Sequence, residues 1–108
     1  MAFDPNTLIG NTSGMSEEAS TAFLEDCGVD ILFGNLRFRV EKRRVASAVQ
    51  LVQKSDYAGR FQLKQTLTKR LQRFEKRLVG GKAKPPTDFD NAASDAILLQ
   101  AINKVDAV

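Results

Sequence analysis

SDYAGRFQLKQTLTKRLQRFEKRL, residues 55–78, is the most strongly patterned stretch of this 108-residue chain. Leu63, Leu67, Leu71, Phe74 and Leu78 recur every three or four residues, the spacing that lines apolar side chains along one face of an α-helix. Ser55 and Asp56 offer its cap, because a short polar side chain there can accept from an amide that the first turn leaves unpaired. Lys69, Arg70, Arg73, Lys76 and Arg77 recur at the same spacing on the other side. One helix thus carries a greasy stripe and a cationic stripe. The apolar seam covers about two heptads, short for an autonomous coiled coil but adequate for a helical bundle or an oligomer contact.

On the N-terminal side, Val45, Ala48, Val49 and Val52 predict a helix over about 41–54. Residues 29–40 admit two readings. Leu36, Phe38 and Val40 alternate with Arg37 and Arg39, and Gly34-Asn35 suits a tight turn, which together describe a β-hairpin. Asn35 could equally cap a helix that runs on through Val45. Earlier still, Ser16 followed by Glu17 and Glu18 reads as a helix start, with Gly28 as the stop of a helix over 16–27. Turn formers recur through residues 1–15, an irregular arm whose adhesive side chains are Phe3, Leu8 and Ile9.

On the C-terminal side, Gly80-Gly81 ends the patterned helix, and residues 80–86 form a Gly/Pro linker in which Pro85-Pro86 favours an extended path. Thr87 or Asp90 caps a last helix, within residues 87–108, whose apolar arc includes Leu98, Ile102 and Val105. The fold class expected is mainly α. It consists of a small helical bundle of three to four helices in a core over 16–79, with a short β-hairpin as one reading of 29–40, an irregular N-terminal arm and a tethered C-terminal helix.

Charge is segregated along the chain. Residues 1–36 hold six acids and no base, residues 37–84 carry +12, and residues 85–108 carry −3, within a total of +3. A basic middle between acidic ends can fold back on itself, bind a polyanion, or pair with the acidic end of another copy. Leu, Ile, Val and Phe number 30 of the 108 residues, enough for a folded core. A lone cysteine, Cys27, asks for no oxidising compartment. The absence of a basic segment ahead of an apolar run argues against a secretory signal, so the expectation is a cytoplasmic protein. No apolar run approaches the roughly 20 residues of a membrane span.

Enzymatic chemistry finds no foothold in the residues. The chain has no histidine, and Cys27 lies among Glu25, Asp26 and Asp30, where negative charge blunts a thiolate. Asp88, Asp90 and Asp95 lack the glycine and closing glutamate of a calcium loop and suit a helix N-terminus instead. No cofactor, metal or small-molecule ligand is expected. The cationic stripe, with a second patch at Arg37, Arg39, Arg43 and Arg44, is the one constellation with physical force. Two functions are compatible with it. The first is a structural or adaptor protein that assembles with copies of itself or a larger partner, in the manner of a small phage virion component at a head–tail junction, with Phe3, Leu8, Ile9, Leu98, Ile102 and Val105 at its contacts. The second is a small nucleic-acid-binding module acting through phosphate contacts. The phage comparison is one of architecture, carried by no family motif.

Overall fold

The computed structural model of the chain describes residues 8, 9 and 27–107. Phe3 and almost all of the helix expected over 16–27 lie outside them.

The segment with two readings is a hairpin. Strands β2, Cys27–Phe33, and β3, Leu36–Glu41, pair antiparallel, with Ile31 opposite Phe38 and Phe33 opposite Leu36. Gly34 takes φ +56° in the two-residue turn, a left-handed conformation that L-residues rarely adopt and achiral glycine adopts freely. Burial explains why strand wins over helix. Leu36, Phe38 and Val40 point to one side and are nearly inaccessible, while Arg37 and Arg39 point to the other. A helix over the same residues would have kept Leu36 and Val40 on one side and turned Phe38 to the other.

Strand β1, Leu8–Ile9, lies parallel to β3, with Leu8 opposite Arg37 and Ile9 opposite Phe38. The sheet order is therefore β1-β3-β2. Residues of the expected arm are thus tied by their backbone to the chain's own sheet. Cys27 opens β2, and Gly28 sits inside that strand at an irregularity in the ladder.

Helix α1, Lys42–Val52, follows β3 directly and buries Val45, Ala48 and Val52. It starts without a side-chain cap and with Lys42, Arg43 and Arg44 in its first turn, the end of a helix where positive charge is unfavourable. Helix α2, Tyr57–Val79, contains the seam: Leu67, Leu71 and Phe74 are buried, and Leu63 and Leu78 pack beside them. Asp56 caps it by accepting from the Gly59 amide at 2.7 Å. At its other end Gly81 has φ +72°, the Gly81 amide returns to the Leu78 carbonyl, and the Lys82 amide returns to that of Arg77. This paired closure satisfies carbonyls that the last turn leaves open.

Two expectations for the C-terminal third need correction. The linker is a turn, not an extended spacer: the Pro85–Pro86 bond is cis, and the Asp88 carboxylate accepts from the Lys84 amide at 2.8 Å. Helix α3, Thr87–Asp106, is preceded by Pro86 and has no side-chain cap from Thr87 or Asp90. Nor does it hang as a detachable element. It packs between α1 and α2 and also touches the hairpin. Ala92, Ala96, Ile97, Leu99, Ala101 and Ile102 are all buried. A helix apolar on several sides belongs in a core, because each side must find a cover. Phe89 meets Phe74 of α2 edge to face, with ring centroids 5.6 Å apart.

Among the described residues the molecule is mainly helical, three helices with a short antiparallel hairpin. The helices lie on the apolar face of the sheet, so the hairpin closes the core that they form.

Candidate interaction surface

The five bases of the α2 stripe do not act as one set. Arg70 Nε lies 3.1 Å from Asp95 Oδ2, and an Arg77 Nη lies 3.1 Å from Asp88 Oδ2. Arg60, two to three turns ahead of Arg70, pairs with Asp106 at 2.8 Å. These three pairs run along the antiparallel α2–α3 contact from one end to the other and stitch the last helix to the body. Lys69, Arg73 and Lys76 sit further round α2. All three are exposed and make no hydrogen bond or ion pair among the described residues.

Helical geometry produces this division. At 100° per residue, Arg70 and Arg77 flank the Leu67–Leu71–Phe74 seam and face α3, whereas Lys69, Arg73 and Lys76 turn toward solvent. The only acid within α2, Glu75, is on the opposite flank. Its carboxylate reaches the hairpin turn beside Gly34, where Oε2 is enclosed and unpaired. The outward ridge of α2 therefore carries no carboxylate.

The second patch is distributed over other surfaces. Arg37 and Arg39 stand on the face of the sheet turned away from the helices, and Arg39 is bound to Asp30 across the ladder at 3.2 Å. Arg43 pairs with Glu41 at 3.4 Å, and Arg44 donates to the Ser94 hydroxyl of α3 at 3.3 Å. Both border an open groove of about 440 Å³ between α1 and α3, floored by Ala48, Leu51, Ile97 and Leu98. A second groove, of about 660 Å³, has Val29, Val49 and Val105 on its walls with Lys42 and Lys104 beside them.

Of the apolar contacts expected near the C-terminus, Leu98 and Val105 are half-buried on these groove walls. Ile102 is wholly enclosed, so the partner contact expected there is replaced by contact with the chain's own core. An apolar feature that the pattern did not single out lies at the start of α2. Tyr57 and Phe61 stack on each other with centroids 6.4 Å apart, yet remain 64% and 49% exposed. From Tyr57 to Gln62 every residue except Arg60 is exposed. The i, i+4 spacing of two aromatic residues off the leucine seam is the signal that could have revealed them.

Asp95 has a measurable consequence. Burial raises its carboxyl above the usual carboxylate range, and the Arg70 guanidinium offsets only part of that. The folded chain therefore holds the Asp95 proton more tightly than the unfolded chain does. Stability from this group is greatest below its unfolded pKa and falls as pH rises from there through the raised value. Asp95→Asn is expected to flatten the pH dependence in that acid window and to be at least as stable as the parent at pH 7, as read by urea unfolding from pH 3 to 7. A loss of more than about 1 kcal/mol at pH 7 would mean that the Arg70 attraction outweighs the cost of burial.

Among the described residues no three His, Cys, Asp or Glu side chains gather to hold a metal ion, and no helix is long and apolar enough to cross a membrane. Compared with protein-family models, with curated proteins and with solved structures, the chain matches none.

Proposed function

We propose that this chain is a non-enzymatic structural or adaptor protein that assembles with copies of itself. The observation that carries the reading is the stacked Tyr57–Phe61 pair, 64% and 49% exposed on the first turns of α2, beside Arg60, which α3 holds through Asp106. Large aromatic side chains left in water are what a protein contact buries. Charge supports the same reading. Residues 27–107 hold sixteen bases against eight acids, while residues 1–26 hold five acids and no base, so each copy offers territories of both signs. A component that forms a ring or collar in a larger particle, as at a phage head–tail junction, is the architecture this arrangement suits.

Sedimentation velocity of the parent and of a Tyr57→Ser, Phe61→Ser double variant tests it. The parent is expected to form oligomers whose share grows with concentration, and the variant to remain monomeric. Its unfolding free energy should stay within about 0.5 kcal/mol of the parent, since both sites are exposed. A parent that is monomeric throughout, or a variant that associates equally well, overturns the reading.

A further inference from the structure

We propose that the outward ridge of α2, formed by Lys69, Arg73 and Lys76, binds the phosphate backbone of a nucleic-acid duplex without reading its sequence. This partner differs in class from the one proposed above and rests on different residues.

Three observations converge on the ridge. First, its cations have no partner among the described residues, whereas their neighbours Arg70 and Arg77 are held by Asp95 and Asp88. A cation already paired to a carboxylate releases few counterions on meeting a phosphate, so the unpaired ones supply the binding. Second, α2 contains one acid, and Glu75 is tucked beside Gly34 on the far flank, so nothing on the ridge repels a polyanion. The other residues turned outward there, such as Gln62, Gln65 and Gln72, are polar and uncharged. Third, the spacing fits. Lys69 and Lys76 are separated by about 10.5 Å along the helix axis with Arg73 between them. A duplex strand rises about 3.4 Å along its axis per phosphate while also winding round it, so neighbouring phosphates stand further apart than that rise, and the ridge with its long side chains reaches about two to three of them.

Charge complementarity sets the choice of a polyanion, since the described body as a whole has sixteen bases against eight acids. The ridge offers two lysines and one arginine with no paired Asn or Gln fork at a helix start, which suits phosphate contact and not base recognition.

The test is anisotropy of a labelled duplex DNA titrated with the full chain between 50 and 200 mM salt, comparing the parent with a Lys69→Gln, Arg73→Gln, Lys76→Gln variant. Three phosphate contacts account for a slope of about −2.7 in log K against log salt, or roughly a 40-fold loss of affinity over that range. The variant is expected to fold, as its circular dichroism should show, and to flatten the slope by about that amount. Arg77→Gln, which removes a stitch to α3, should leave the slope unchanged while lowering the melting temperature. Absence of binding by the parent at 50 mM salt overturns the proposal, as does an unaltered slope in the triple variant. Capture of polyglutamate with no affinity for DNA overturns it in favour of an acidic protein partner.

Discussion

Ile102→Ala is expected to destabilise the chain by about 2–5 kcal/mol, the range for emptying the site of a fully buried large aliphatic side chain. Ile102 has no accessible surface and lies on α3, between α1 and α2. Its removal leaves a cavity in a close-packed core, where the surrounding side chains relax into the space only in part. The effect should appear in a single cooperative urea transition, with α3 melting together with the rest. A cost below about 0.5 kcal/mol, or a separate early transition for α3, would show that this helix is an appendage.

Gly34→Ala should cost about 2 kcal/mol, for two separable reasons. An L-residue at φ +56° bears about 1–2 kcal/mol of backbone strain. A Cβ there would also stand 2.6 Å from the enclosed Glu75 Oε2, so that side chain has to shift. Glu75→Ala removes the second reason and leaves the first. In a double-mutant cycle the Gly34→Ala penalty is therefore expected to shrink by about half in the Glu75→Ala background, read by chemical denaturation. Equal penalties in both backgrounds would mean that Glu75 does not press on the turn.

The sequence and the structure agree where one period dominates. Leu63 to Leu78 could only be a helix seam, and Asp56 could be placed as its cap from side-chain chemistry alone. Residues 29–40 could not be resolved in the same way, since Leu36, Phe38, Val40 and Val45 suit two periods at once. Tertiary burial of one sheet face decides between them. The last helix is ambiguous in sequence for a different reason. Its apolar residues surround it on several sides, which reads as stickiness when the helix is imagined at the edge of a domain and as core when it lies at the centre.

The split of the cationic stripe was partly legible. Arg70 and Arg77 are seven residues apart, as are Asp88 and Asp95, and Arg60 and Asp106 extend the match beyond them. That spacing is compatible with an antiparallel helix pair, but Lys69 and Lys76 are also seven residues apart, and only the position of the apolar seam says which two cations face α3. The Tyr57–Phe61 spacing marks two aromatic side chains off the leucine seam, but their exposure is not in the sequence, because it depends on which neighbours the fold brings to that end of α2.

The central claim is that this chain works by association, through surfaces its own fold leaves uncovered. Light scattering of the intact chain at 50 mM salt, alone and with duplex DNA, tests it most directly. The expected result is a mass that is a multiple of the 11.9 kDa chain on its own, rising further when DNA is added. A mass of 11.9 kDa under both conditions, at every concentration, would contradict it.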